Sequence, residues 1–319
     1  MSAVPQARVM DDVDARRQWL QIRRQGIGSS DIATIIGANP FKSAYALYLE
    51  KTGEIEADDL SDIEYVQMGN LLEPVIASLY TARTGRPVID HGRYAVRHHP
   101  DDPRFMATID RDIIPVDAET ELAGQVIASM AGRGPGILEA KTTGPWNADD
   151  WEGLGPLYYQ VQLQWQLGVL GYDWGSLAAL IGGQRFVWID FDRNDETIAL
   201  LQDEARAFLD RIERRDPPPV DGHAGTTRAI KKLHPADSGK TIDLPDRFAE
   251  MDALRAQLQD QIKADEQRLE ALDNEIKARM CDATWARIPG GGRFQWKTVD
   301  YRASVRKAYT VRKFERLKR

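Results

Sequence analysis

Cysteine is almost missing from this chain, with Cys281 the only one in 319 residues. That excludes an internal disulfide, a cysteine-ligated zinc site and an iron–sulfur cluster on cysteine thiolates. Long apolar runs are missing too, and none approaches the ~20 residues that cross a bilayer. The N-terminus, Met1-Ser2-Ala3-Val4-Pro5-Gln6, carries no apolar signal segment, so the expected location is the cytoplasm. There is no internal repeat. Nor is there an excess of positive charge: 42 Lys and Arg against 49 Asp and Glu leave a formal charge of -7, which gives no whole-molecule attraction for nucleic acid. What remains is an ordinary globular composition, 42% hydrophobic and 29% charged, long enough for one large domain or two smaller ones.

The positive charge is concentrated at the end. From Trp285 to Arg319 the basic residues include Arg287, Arg293, Lys297, Arg302, Arg306 and Lys307, with only Asp300 and Glu315 opposing. Such a tail suits either a phosphate-attracting surface or a solvated terminus. Trp285, Trp296 and Tyr301 would then stack on bases or form the core of a hairpin.

Two stretches carry the candidate chemistry. Phe105-Met106-Ala107-Thr108-Ile109-Asp110 and Ile137-Leu138-Glu139-Ala140-Lys141-Thr142 both read as strands. Alternate side chains of a strand share a face, so Glu139 and Lys141 project together, ~7 Å apart at the root. If the Asp110 strand pairs alongside, two carboxylates converge where Mg²⁺ could sit, with Lys141 beside it to orient the attacking water. That constellation suits metal-assisted phosphodiester hydrolysis. Asp112 is a rival ligand, and Glu73 is either a surface charge or a third carboxylate.

The rest of the pattern is coarser. Residues 1–14 read as a disordered leader, followed by a helix from about Ala15 to Arg24. Gly26-Ile27-Gly28-Ser29-Ser30-Asp31 opens a second helix, and the free N–H groups of such an end favour a phosphate, with Arg24 and Ser29 or Ser30 as partners. Gly37-Ala38-Asn39-Pro40-Phe41-Lys42-Ser43 is not a nucleotide-binding loop, because Phe41 stands where a glycine must let the backbone approach. Ser43 caps a helix to Lys51 that Gly53 stops. Met68 to Arg83 is helical with Pro74 in its first turn. Adjacent His98 and His99 point to opposite faces and read as a solvated turn. The 113–136 connection reads as an insertion carrying a small hairpin or helix. A helix over 157–170 sets Gln160 and Gln164 on one face. A hairpin follows through Gly182-Gly183, then a helix over about 194–213 that ends at Pro217-Pro218-Pro219. Asp246 to Cys281 is a charged helix with Met251, Leu254, Leu258, Ile262, Leu269, Leu272 and Ile276 at near-heptad spacing. A basic hairpin turns at Gly290-Gly291-Gly292.

Five ordered pieces resemble the YqaJ-like viral recombinase family, relatives of the phage lambda exonuclease within the PD-(D/E)xK nucleases. They are Gly26 to Asp31, Met68-Gly69-Asn70-Leu71-Leu72-Glu73-Pro74, Thr108-Ile109-Asp110, Leu138 to Thr142, and Tyr158-Tyr159-Gln160-Val161-Gln162. Together they span about residues 16–215. The resemblance implies an α/β fold with a restriction-endonuclease-like core, a mixed central sheet flanked by helices. It implies that Asp110, Glu139 and the Ala140 carbonyl ligate Mg²⁺, for which Mn²⁺ could substitute. Glu73 would be an additional metal-site carboxylate, Lys141 the catalytic lysine, and Gln160 a holder of the site or substrate. Arg24, Ser29 and Ser30 would hold a DNA 5′-phosphate, with Gln164 beside Gln160 on the substrate face. The implied activity is 5′-to-3′ digestion of double-strand DNA ends, in the bacterial cytoplasm of a phage or prophage host. It would leave a tail for a single-strand annealing protein, and family precedent suggests a homotrimer. Two departures are Ile109 in place of the motif proline and a long loop between Asp110 and Glu139.

The expected organisation is a leader at 1–14, a nuclease domain at 15–216, a linker at 217–245, and a long helix with a basic hairpin at 246–319. The rival readings are a structure-specific or restriction-type endonuclease of the same fold and a non-catalytic DNA-binding module.

Overall fold

The computed structural model describes residues 6–115, 121–122, 125–126 and 133–300, with side chains over 14–115 and 133–300. The chain forms two compact units, Met1–Pro235 and Ala236–Arg319. The first begins with α1 (Gln6–Arg24), α2 (Ser29–Ile35), α3 (Ala44–Lys51) and α4 (Glu64–Thr84). Strands β1 (Val88–Ile89), β2 (Arg97–His98), β3 (Met106–Ala107), β4 (Arg111–Ile113), β5 (Glu121–Leu122), β6 (Gln125–Val126) and β7 (Gly136–Thr143) follow. Next come α5 (Leu157–Leu170), β8 (Trp174–Ile181), β9 (Arg185–Asp192), α6 (Asp195–Arg214) and α7 (Ala224–Leu233).

The expected class, α/β with a mixed central sheet flanked by helices, is the one observed. The sheet has the order β1-β4-β7-β8-β9. β7 and β8 run parallel, joined through α5, and the remaining pairs are antiparallel. β8 is buried along its whole length, as a central strand covered on both faces should be. Leu138, Ala178 and Leu180 pack with Ile76, Ala77 and Tyr80 of α4. Their neighbours Ile137, Leu177 and Ala179 pack with Leu163 and Leu167 of α5. The period-two alternation of a strand thus assigns α4 to one face and α5 to the other, and it puts Glu139 and Lys141 on the α5 face with Ile137.

Several elements differ from the sequence-based expectation. α1 begins at Gln6, so residues 6–14 of the expected leader are helical, and residues 1–5 lie outside the described residues. α4 begins at Glu64, four residues earlier than the Met68 read from the sequence, which puts Pro74 in the helix interior rather than its first turn. A proline there has no N–H to give the carbonyl one turn back, at Asn70. α7 lies inside the expected 217–245 linker. It is fixed to α3 because Thr226 Oγ1 donates to Ser43 Oγ at 2.7 Å while Ser43 Oγ caps α3 by accepting from Ala46 N at 3.2 Å. The three prolines therefore interrupt the first unit without ending it. Of the 113–136 connection, the described part includes the two-stranded β5–β6 hairpin.

The second unit holds α8 (Arg247–Met280) and the hairpin of β10 (Trp285–Arg287) and β11 (Arg293–Gln295). Trp285, Phe294 and Trp296 are exposed, with the Arg293 guanidinium 4.2 Å from the centre of the Trp285 ring. Tyr301 and the basic residues from Arg302 onward lie outside the described residues. Among the described residues no helix is long and apolar enough to cross a membrane.

Candidate active site

Asp110 lies in a bend just ahead of β4, not in the strand that the sequence suggested for 105–110. β4 pairs with β7 with Arg111 opposite Leu138. One further step of that antiparallel register sets Asp110 opposite Glu139. The Ala140 N–H donates to Asp110 Oδ2 at 2.7 Å, locking the carboxylate onto the strand that carries the other two groups.

Glu139 is 2% exposed, and its environment is built by α5. Gln162 Nε2 donates to Oε1 at 2.5 Å, Gln166 Nε2 donates to Oε2 at 2.7 Å, and Lys141 Nζ donates to Oε1. The Lys141 ammonium also stands 4.6 Å from the centre of the Tyr159 ring, a cation–π contact that helps hold it. Burial works against the charged form of Lys141, but Glu139 and then Asp110 outweigh it, so its pKa lies above the usual lysine range. Burial pushes the Asp110 carboxyl well above the ordinary carboxylate range, Glu139 and Glu73 push the same way, and Lys141 and the Ala140 N–H offset only part of this.

The burial of Asp110 beside Glu139 bears on the metal implied by the sequence resemblance. Among the described residues no three His, Cys, Asp or Glu side chains form a ready-made metal cluster. The donor set that does fit a hard cation is Asp110, Glu139 and the Ala140 carbonyl, all oxygen, with water filling the remaining positions. A divalent cation there would relieve the crowding of charge around Asp110.

The other candidates are distributed as follows. Glu73 accepts from Arg111 Nη1 at 2.5 Å, and Arg111 also meets Asp90 at 3.1 Å, so this carboxylate borders the cluster through a buried arginine. Asp112 is turned to Arg97 at 2.6 Å and His91 at 2.5 Å. His98 Nδ1 lies 2.6 Å from the Pro103 carbonyl. Gln160 and Gln164 are not brought to the acidic pair: Gln160 Nε2 donates to the Gly155 carbonyl and Gln164 Nε2 to the Asp192 carbonyl. The four glutamines at 160, 162, 164 and 166 alternate, and two residues of helix rotate a side chain by about 200°. The pair at 162 and 166 therefore faces β7, and sequence reasoning missed it. Similarly Arg24 is exposed, while Arg23 turns inward, donating to Ser30 Oγ at 2.6 Å and lying 3.5 Å from Asp31.

Arg23, Ser29 and Ser30 share a cavity of about 160 Å³ with Asp110 and Glu139. A short parallel bridge joins the two groups. Ile27 N donates to the Arg104 carbonyl at 2.7 Å, and Met106 N donates to the Ile27 carbonyl at 2.9 Å. Gly26 is required beside it, because a Cβ there would stand 2.0 Å from the Arg104 oxygen. The α2 arm is anchored from beneath by Asp31, which accepts from Gly28 N at 3.0 Å and from Lys51 Nζ at 2.7 Å. Burial alone would raise the Asp31 pKa, but Lys51 and Arg23, together with hydrogen bonds from Lys51 and Gly28, hold it down at about 2. Lys51 Nζ also donates to the Arg23 and Gly26 carbonyls. Ser29 Oγ is buried with no hydrogen-bond partner, a polar atom at the cavity wall left for a ligand.

The sequence aligns over 292 residues with the Bacillus subtilis (strain 168) protein YqaJ at 33% identity, covering 89% of this chain and 84% of that one. The chain belongs to the YqaJ-like viral recombinase family. The profile of the YqaJ-like viral recombinase domain matches residues 18–173, a span that holds every residue of the cluster and of the α2 arm. Among solved structures, the alkaline exonuclease LHK-Exo of Laribacter hongkongensis is similar with a TM-score of 0.47 and 19% identity, over 63% of this chain and 94% of that one. A phage-related exonuclease of Haemophilus somnus 129PT gives 0.44 and 12% identity, over 60% and 94%.

Proposed function

We propose that this YqaJ-like protein is a Mg²⁺-dependent nuclease that digests double-strand DNA from its 5′ ends, passing the exposed strand to a single-strand annealing protein. The observation that carries this reading is the shared cavity: the acidic pair of Asp110 and Glu139, the latter bonded to Lys141, on one wall, and a cationic, hydroxyl-bearing arm on the other. Family membership and the fold support it.

When bound between Asp110, Glu139 and the Ala140 carbonyl, the cation would supply Lewis acidity to the scissile phosphate and acidify a bound water. Lys141, on the same face of β7 as Glu139, would donate to the attacking water and orient it in line with phosphorus. Gln162 and Gln166 keep the Glu139 carboxylate in one orientation, so that its oxygens need no reorganisation as charge develops. Arg23, Ser29 and Ser30 receive the terminal 5′-phosphate, the guanidinium through charge-assisted hydrogen bonds.

The test is digestion of end-labelled linear duplex with and without Mg²⁺, beside covalently closed circular DNA. Strand loss from the 5′ end that needs Mg²⁺ and spares the circle is the expected result, with Lys141→Ala at least ~10²-fold slower. Digestion by Lys141→Ala at the wild-type rate would remove the proposed chemistry, and cutting of the circle would turn the assignment toward an endonuclease.

A further inference from the structure

Glu73 is a carboxylate that the sequence resemblance gives to the metal and the structure gives to an arginine. Its Oε1 accepts from Arg111 Nη1 at 2.5 Å, and the same nitrogen donates to the Asp110 carbonyl at 2.5 Å. The other terminal nitrogen, Nη2, meets Asp90 Oδ2 at 3.1 Å. One planar cation thus gathers oxygens from α4, from the residue after β1 and from the bend before β4.

The sheet separates this group from the acidic pair. Arg111 stands opposite Leu138 in the β4–β7 register, and Leu138 packs with Ile76, Ala77 and Tyr80 of α4. Cross-strand partners share a face, so Arg111 points to the α4 side, where Glu73 is. Asp110 and Glu139 line the cavity on the α5 side together with Gln162.

We propose that Arg111 supplies from within the chain the positive charge that a second cation would bring. Glu73 is the counter-ion of this arginine and not a metal ligand, so the site takes one divalent cation. The inference rests on the cation proposed for Asp110, Glu139 and the Ala140 carbonyl, and it corrects the role that the resemblance implies for Glu73. A guanidinium stays charged at any pH the protein meets, and the Arg111 side chain is only 7% exposed. A buried charge needs a fixed counter-charge. Asp90, with a side chain 55% exposed, is a screened one, which leaves Glu73 as the closer balance. Turning Glu73 to a cation would strip that balance from Arg111 and set a second positive charge against it. Both effects oppose ligation. The bond to the Asp110 carbonyl makes Arg111 a positioning residue as well, since it holds the backbone at the bend from which the Asp110 carboxylate reaches the Ala140 N–H.

The test counts Mn²⁺ bound to the full chain by electron paramagnetic resonance, without DNA and without digestion. Wild type should bind one ion, and Asp110→Asn should lose it. Glu73→Gln keeps an acceptor for Arg111 but removes the charge, and should still bind one. Arg111→Met frees Glu73 and should bind two, while Arg111→Lys, which retains the charge, should stay at one. The double variant Arg111→Met/Glu73→Gln should return to one. Circular dichroism checks that each variant folds; if Arg111→Met does not, Glu73→Gln and Arg111→Lys still decide. A wild type that binds two ions, one of them lost in Glu73→Gln, would overturn the inference and leave the nuclease reading intact. A folded Arg111→Met protein that binds only one ion would overturn it too. A wild type that binds none would remove the cation from the proposed function itself, and this inference with it.

Discussion

Replacing Asp31 by asparagine isolates the anchor under the α2 arm, and its effect on stability can be worked out. The carboxylate is buried with a pKa held at about 2, against an ordinary value of 3.8. A folded-state pKa below the unfolded one means that the stabilisation is complete above pH 3.8 and is lost as pH falls from there through 2. At neutral pH it amounts to about 2 kcal/mol, from 1.36 kcal/mol per unit of displacement. Roughly half of that is gone at pH 3. The Asp31→Asn substitution would also leave the Lys51 ammonium, 6% exposed, without its counter-charge. Removing one partner of a buried pair costs about 3–5 kcal/mol, so the variant should be less stable than the wild type by that much at pH 7. Urea unfolding followed by tryptophan fluorescence at pH 7, 5 and 3 measures both effects. The gap between the two proteins should hold between pH 7 and 5 and narrow by about 1 kcal/mol at pH 3. A gap that stays constant down to pH 3, or a variant as stable as the wild type at pH 7, would refute the reasoning about this ion pair.

Three other outcomes are expected. Gln166→Leu removes a buried donor to Glu139, worth about 1.5–3 kcal/mol for a charged acceptor, so kcat should fall ~10–100-fold with unchanged circular dichroism; a wild-type kcat would show that Glu139 needs no such support. Arg23→Ala should raise KM for 5′-phosphorylated duplex by a similar factor and leave 5′-hydroxyl duplex unaffected, and equal effects on both would dissociate Arg23 from the phosphate. Gly26→Ala forces a methyl group against the Arg104 carbonyl and should destabilise the protein by about 3 kcal/mol or more, seen as a Tm several degrees lower.

Most helices and the long strands are legible because their signals are long and periodic, whereas α7, ten residues inside the expected linker, is not. α5 has the bounds read from its sequence, 157–170, and α8 differs by a residue at each end. The β8–β9 hairpin was equally visible through its glycine pair. Two-residue strands such as β2 and β3 carry no usable period, so the sequence pattern carries a strand on to Asp110 where the structure has a bend. The site was legible in its residue types and less so in its facing. Glutamines at four alternate positions offer two equivalent helix faces, and only the packing of Leu163 and Leu167 on the sheet decides between them. Arg23 and Arg24 pose the same problem, since neighbouring helical residues differ by about 100°. One signal was available: Trp19 lies four residues before Arg23, and the guanidinium rests 4.6 Å from its ring centre.

The two hydrogen bonds through Ile27 make the arm and the acidic pair parts of one rigid frame. On the proposed reading that frame is a gauge. With the terminal phosphate seated at one wall and the reacting phosphate at the other, the length of the fragment released per cycle is set by the protein's own span and not by the base sequence. Loosening the bridge, as in Gly26→Ala, should therefore blur product size as well as slow its release.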